Sequence, residues 1–158
     1  MGYNSASPII FGGISGVVTA LTSNSPQVGT KVNYEGTEYI YVYNGGDQPI
    51  YPGMGIVGQA AAEGYTGTVS SITYDRIFGV VVHTTMLTST HGWVACRGLV
   101  SLYTSAAIAT GAFVTVAADG MFSTYTCHSA AGTGKEIGKV LVASSAATNV
   151  KAACYISV

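Results

Sequence analysis

A short stretch of the chain, residues 38–46, alternates tyrosine with branched aliphatic residues. Its sequence is EYIYVYNGG, and Ile40 and Val42 separate its three tyrosines, Tyr39, Tyr41 and Tyr43. Successive side chains of a β-strand point to opposite faces, so the pattern predicts a strand with a tyrosine face and an aliphatic face. Either face could line a core. We expect the aliphatic pair in the core, because it has no polar atom to satisfy, and the three tyrosines at a protein–protein interface.

The residues around this stretch predict the secondary structure of the chain. Residues 31–34 and 37–43 flank Glu35-Gly36, a two-residue turn, which indicates a β-hairpin. Elsewhere no window of eleven residues has an apolar stripe at helical spacing. The 21 glycines separate short runs of β-branched and aromatic residues. These features predict an all-β protein, either a sandwich or barrel-like.

The chain also resembles itself at an offset of 58 residues. The matched pairs are Ile50 with Ile108, Gly53 with Gly111, Ala95 with Ala153, Cys96 with Cys154 and, after one inserted residue, Gly79 with Gly138. We interpret residues 50–98 and 108–156 as two pseudo-repeats of one β-unit, within a single β-domain that covers residues 31–158. The alternative is chance similarity among glycine, alanine and valine, which are common in this chain.

Residues 1–30 are predicted to form an extended N-terminal arm. No charged side chain precedes Lys31, and short apolar pieces stand among glycine, serine and proline. Such an arm either becomes ordered against a neighbouring protein or frays as a free terminus. In the first case Ile9, Ile10 and Phe11 are interface candidates.

Charged residues are few. Six Lys+Arg and seven Asp+Glu make up 8% of the chain, whereas an average soluble domain has about 25%. A hydrophobic content of 48% argues against disorder. We therefore expect copies of the protein or a larger body to cover much of its surface, the alternative being a neutral monomer coated with Ser, Thr and Gly. The absence of a basic stripe argues against a nucleic-acid partner, and glycine, serine and threonine interrupt the long charge-free runs, which argues against a membrane span.

Candidate chemistry in the sequence is weak. The three histidines lack the spacing of metal ligands, and the three cysteines lack redox or metal spacing, so we expect the cysteines to be reduced, buried thiols. The segment AAGTGK, residues 130–135, lacks the first glycine of a phosphate-binding loop. We predict no catalytic residue, no cofactor, no metal and no enzyme activity, and keep a small hydrolase as a third class of function.

Five stretches carry a resemblance to a known family. They are GTEYIYVYNGG, IYPGMGIV, FGVVVHTTMLTSTHGWVACRGLV, IATGAFVTVAADGMF and EIGKVLVASSA. Together they resemble the capsid decoration, or cement, proteins that tailed bacteriophages encode among their head genes. The resemblance covers roughly residues 30 to 158 and leaves the arm unmatched. This chain has less charge than the best-known decoration proteins, which leaves the docking surface open.

The resemblance implies a β-rich structural protein without enzyme activity. It implies a homo-oligomer, with a trimer favoured, that binds the major capsid protein on the outer capsid surface of the virion after synthesis in the host cytoplasm. The alternative is a head-fibre or appendage module that binds host glycans, because tyrosines also stack on sugars.

Overall fold

The computed structural model describes residues 17–18, 25–59, 64–69, 76–125, 136–143 and 150–158. Within these ranges the protein has eleven β-strands, one 3-10 turn at Ala118–Gly120 and no α-helix. The strands are β1 (Val17–Val18), β2 (Lys31–Tyr34), β3 (Thr37–Asn44), β4 (Gly55–Gly58), β5 (Thr66–Thr68), β6 (Ile77–Val80), β7 (Thr90–Thr104), β8 (Phe113–Val116), β9 (Phe122–Thr124), β10 (Gly138–Val142) and β11 (Val150–Ser157). The prediction of an all-β protein is confirmed, and of the two architectures left open, sandwich or barrel-like, the structure is barrel-like.

The predicted hairpin is present. Strands β2 and β3 pair antiparallel, with Tyr34 opposite Thr37. Glu35 and Gly36 between them both have positive φ, at 49° and 80°. Positive φ at both central residues is typical of a type I′ turn, whose twist matches that of the two strands in a two-residue hairpin. It also explains the glycine at the second position.

Five strands close into a first ring. Strand β3 pairs antiparallel with β7, β7 with β6, β6 with β4, and β4 with β5. Strand β5 then returns to β3 in a parallel pair, Tyr43 with Thr66 and Asn44 with Gly67. Closure leaves no fully open edge among the ring strands, and strand β2 lies outside the ring as an addition to β3.

A second ring repeats this arrangement strand for strand. The second half of β7 pairs antiparallel with β11, β11 with β10, β10 with β8, and β8 with β9. Strand β9 returns to β7 in a parallel pair, Thr104 with Phe122. The fifteen-residue strand β7 thus belongs to both rings, and Arg97 is the residue at which its partner changes from β3 to β11.

The ladder registers align the two rings residue by residue. In the first ring Tyr39 pairs with Ala95, Ala95 with Val80, and Val80 with Gly55. The corresponding pairs in the second ring are Leu99 with Tyr155, Tyr155 with Lys139, and Lys139 with Phe113. The pseudo-repeats predicted from the sequence, residues 50–98 and 108–156, contain the starts of the last four strands of each ring. The first strand of each ring precedes its range.

The registers correct two of the residue pairs in the sequence alignment. Ala95 is equivalent to Tyr155 and not to Ala153, and Cys96 is equivalent to Ile156 and not to Cys154. The offset between equivalent residues rises from 58 to 60 because the second ring has one more residue between its second and fourth strands and one more between its fourth and fifth.

Gly79 and Gly138 are equivalent in the two rings and are glycine for the same reason. A Cβ at Gly138 would lie 2.5 Å from the carbonyl oxygen of Tyr155, and a Cβ at Gly79 would collide with the carbonyl oxygen of Ala95. Ala95 and Tyr155 are themselves equivalent, so the backbones of each fourth and fifth ring strand approach too closely for a side chain.

Two hydrophobic clusters fill the molecule. The smaller cluster fills the first ring and contains Ile40 and Val42, which confirms the prediction that these residues lie in the core. The larger cluster combines the interior of the second ring with the outer face of β3, β6 and the first half of β7, where Trp93 is buried. Strand β3 therefore lies between two cores and is buried on both faces.

Candidate interaction surfaces

The tyrosines of β3 lie mostly inside the protein. Tyr39 is 5% exposed and Tyr41 is 1% exposed, while Tyr43 is half-buried. The prediction that the tyrosine face lines a surface is therefore wrong for Tyr39 and Tyr41. Both belong to the larger hydrophobic cluster, which covers that face of β3. An interface role for Tyr43 stays a prediction. The other predicted interface residues, Ile9, Ile10 and Phe11, lie outside the described residues.

The buried tyrosine hydroxyls differ in their partners. The Tyr39 hydroxyl lies 3.3 Å from His83 Nε2, whereas the Tyr41 hydroxyl is buried without a hydrogen-bond partner among the described residues. The ring of Tyr41 packs against Trp93 with 5.0 Å between ring centroids. Burial raises the pKa of both tyrosines, so both hydroxyls stay protonated at neutral pH.

An exposed row of four side chains, three of them large and apolar or aromatic, crosses the outer face of the second ring. The row consists of Leu99, Tyr155, Lys139 and Phe113, from strands β7, β11, β10 and β8, in consecutive ladder register. Leu99 is 62% exposed, Tyr155 45% and Phe113 44%. We call these four residues the second-ring row.

Two basic groups belong to this face. The Lys139 ammonium lies 5.7 Å from the centre of the Phe113 ring, an attractive arrangement of a cation over an aromatic face. Arg97 precedes Leu99 by two positions on the same face of β7 and donates a hydrogen bond of 3.4 Å to the Tyr155 hydroxyl. Leu141 and Val142 extend the apolar surface along β10. The face is thus apolar with positive charge, and none of the four row residues is acidic.

The equivalent row of the first ring is buried. It consists of Tyr39, Ala95, Val80 and Gly55, and each of these residues is inaccessible or nearly so. The second ring packs against one end of this row, since a Cβ at Gly55 would lie 2.7 Å from Val116 and 3.0 Å from Phe122. Three of the four residues share one hydrophobic cluster with the interior of the second ring.

A cavity of about 430 Å³ opens beside the first ring. Its lining includes Lys31, Tyr65, Arg76, Phe78 and Cys96. The Lys31 ammonium donates a 2.8 Å hydrogen bond to Glu38, and the Cys96 thiol lies 3.3 Å from the same carboxylate oxygen. Burial, with Glu38 as a second cause, raises the pKa of Cys96 to about 11. The thiol is therefore protonated at neutral pH and poorly nucleophilic.

The described residues offer little support for catalytic chemistry. They contain no cluster of three or more His, Cys, Asp or Glu side chains that could hold a metal ion. Likewise, the part of the chain that the structure describes has no helix long and apolar enough to cross a membrane. The features with a clear physical character are the exposed apolar face of the second ring and the cavity beside the first.

Comparison of the chain with protein families, with curated proteins and with solved structures finds no match.

The second-ring row was missed by the analysis of the sequence. The segment RGLVSLY, residues 97–103, alternates in a way that predicts one buried face, but both faces carry leucine or valine. Only the ladder registers show that Leu99 shares a face with Tyr155 and Phe113. Lys139, which interrupts the apolar run of β10, was the available signal that this face meets water.

Proposed function

We propose that this protein is a structural virion protein that docks as an oligomer on the outer surface of a bacteriophage capsid and stabilises the assembled shell. The observation that carries the proposal is the exposed apolar surface that a closed, two-ring scaffold displays. Its partners in this proposal are the major capsid protein and copies of itself, with a trimer favoured. It has no catalytic role, no cofactor and no nucleic-acid or membrane partner.

The distribution of exposed side chains supports docking. Ten large hydrophobic side chains are exposed on the described part of the chain. They are Val28, Tyr34, Tyr51, Tyr65, Leu87, Leu99, Phe113, Leu141, Val142 and Tyr155. Charged residues make up only 8% of the sequence, so little charge separates these apolar positions. Leu99, Tyr155 and Phe113 share one face of the second ring, and a large exposed apolar patch marks a site of association.

The scaffold suits a permanent structural role. Ring closure gives each ring strand a neighbour on both sides, so a partner that contacts the rings meets mainly side chains. Strand β7 runs through both rings and contributes buried residues to both clusters, which fixes the rings to each other. A rigid partner loses little conformational entropy on binding, which favours affinity.

Stabilisation of a shell follows from mass action. A protein that binds the assembled shell and not its dissociated subunits stabilises assembly by about 2.7 kcal/mol per site when its free concentration is a hundred times Kd. Because a capsid offers many identical sites, modest affinity at each site is sufficient. The predicted arm, residues 1–30, supplies additional docking contacts in this proposal, with Ile9, Ile10 and Phe11 as its apolar anchors.

The cavity beside the first ring supports a second candidate, a head-fibre or appendage module that binds host glycans. Tyr65 and Phe78 pack with 5.5 Å between ring centroids at its wall, and Lys31 and Arg76 contribute polar groups. Aromatic rings beside polar groups are the usual composition of a small-molecule site. Tyr65 is 38% exposed and is the aromatic residue that a sugar would contact.

Co-sedimentation with capsids tests the proposal. Purified protein is mixed with intact capsids that lack it, and in parallel with dissociated capsid protein, and each mixture is sedimented. We expect saturable binding to intact shells only. Absence of binding to shells contradicts the proposal, and binding to a glycan panel that a Tyr65→Ala substitution abolishes would favour the second candidate instead.

A further inference from the structure

The two rings share one fold but differ in what covers their equivalent rows. In the first ring the row is buried, and at Gly55 the covering atoms belong to Val116 and Phe122 of the second ring. In the second ring the row is exposed, with Phe113 at 44%, Tyr155 at 45% and Leu99 at 62%. The position that is buried in the first ring is therefore open in the second.

The two halves of the chain have opposite charge. Residues 1–96 contain two basic and five acidic side chains, while residues 97–158 contain four basic and two acidic ones. Two of the basic groups, Arg97 and Lys139, lie on the same face as the second-ring row. Exposed acidic groups of the first half include Glu35 and Asp47. The exposed row is thus complementary in charge to the first half of another copy.

We infer that the second-ring row is the self-association surface of the protein, and that a second copy covers it with its negatively charged first half. The contact covers the second-ring row between chains, whereas the first-ring row is covered within one chain. The inference rests on the proposed function, which includes an oligomer, and assigns the interface of that oligomer. Its test uses no capsid, so either proposal can fail without the other.

The charge distribution selects a head-to-tail contact over a two-fold symmetric one. In a symmetric pair of second-ring faces, Lys139 and Arg97 of one copy would oppose the same residues of the other, and like charges in contact disfavour association. The first-ring row is already buried and offers no equivalent face. A head-to-tail contact uses two different surfaces and forms a closed ring of subunits when the rotation between copies allows it.

Sedimentation velocity of the full chain tests the inference. Protein concentrations from about 1 to 100 µM cover dissociation constants in the micromolar range. We expect the wild-type protein to associate, and Leu99→Ser to raise the dissociation constant about tenfold or more, as for a central apolar contact. Ala106→Ser is the control, because Ala106 is exposed and belongs to residues 97–158 but lies outside the row. It is expected to associate like the wild type.

Lys139→Glu is a second variant that does not depend on the packing of Leu99. It is expected to weaken association, because it places a negative charge against a negatively charged partner surface. Strengthened association would indicate a symmetric contact in which the new carboxylate meets Arg97, and would overturn the head-to-tail arrangement. Thermal denaturation of each variant establishes that it folds like the wild type.

Two other results overturn the inference. The first is a wild-type chain that stays monomeric throughout the concentration range. The second is Leu99→Ser protein that associates as strongly as the Ala106→Ser control.

Discussion

Leu99 and Tyr39 occupy the same position in the two rings and have opposite exposure. Leu99 is 62% exposed on the outer face of the second ring, whereas Tyr39 is 5% exposed on the outer face of the first. Each pairs across the ladder with an equivalent residue, Tyr155 and Ala95 respectively. The difference is therefore not one of fold. It reflects the neighbour that each ring has, and it motivates the proposal that the second ring acquires its neighbour from another copy.

The two buried tyrosines of β3 are expected to respond differently to loss of the hydroxyl. Tyr39→Phe removes the bond to His83 and is expected to lower the free energy of unfolding by about 0.5–1 kcal/mol. Tyr41→Phe removes a buried hydroxyl that has no partner among the described residues and is expected to leave stability unchanged or slightly raised. Urea denaturation measures both, and a larger loss for Tyr41→Phe than for Tyr39→Phe contradicts the assigned contacts.

Gly79 is expected to be the more sensitive of two glycines with positive φ. Gly79→Ala combines a φ of 153° with a collision against the Ala95 carbonyl, and is expected to cost about 3 kcal/mol or more. Gly36→Ala is the control, because φ is 80° there and nothing lies within 4 Å of the added carbon, so only about 1 kcal/mol is expected. Equal losses in a denaturant titration would show that the close approach of β6 and β7 does not limit the side chain.

The equivalence of the rings extends this prediction to Gly138. Gly138→Ala places its carbon 2.5 Å from the Tyr155 carbonyl without a positive φ, so its cost isolates the steric term. We expect about 1–3 kcal/mol, between the values for Gly79→Ala and the wild type. A neutral Gly138→Ala substitution would contradict the residue-level match of the two rings at this position.

The thiols of Cys96 and Cys154 are expected to resist alkylation. Both are buried, and burial raises the pKa to about 11 for Cys96 and about 12 for Cys154. Iodoacetamide at pH 8 is expected to modify neither thiol in the folded protein and both after unfolding, as peptide mass mapping would show. Rapid modification of Cys96 in the folded protein would place it at the surface instead of in the first-ring cluster.

The same thiols predict a loss of stability at alkaline pH. The folded pKa of each lies above the ordinary value of 9.0, so the folded protein holds protons that the unfolded chain releases. The free energy of unfolding is therefore expected to fall as pH rises from about 9 through about 11. Cys96→Ala should flatten this decline in a series of urea titrations, and an unchanged decline would contradict the assignment to Cys96.

Local patterns in the sequence were sufficient to predict several elements. The alternation of β3 and the Glu35-Gly36 turn depend on neighbouring residues alone, and both are present. The match of Gly79 with Gly138 was also visible, because the close backbone approach that requires glycine occurs in both rings. Burial of Ile40 and Val42 followed from their lack of polar atoms.

The surfaces could not be predicted in the same way. In the sequence, Tyr39 and Tyr41 have the pattern of surface tyrosines on a half-buried strand. They are buried because the larger hydrophobic cluster, which includes the interior of the second ring, lies against them. Leu99, conversely, has the residue type of a core position and is exposed. In both cases the deciding contact joins strands far apart in the chain, which alternation along one strand does not encode.

The melting temperature of capsid shells, measured by calorimetry with increasing amounts of added protein, tests whether the protein cements the shell. A protein that binds the assembled shell in preference to its dissociated subunits is expected to raise the shell melting temperature with increasing concentration until the sites are full. A shell melting temperature equal to that of the bare shell, at concentrations where co-sedimentation shows full occupancy, would contradict a cementing role.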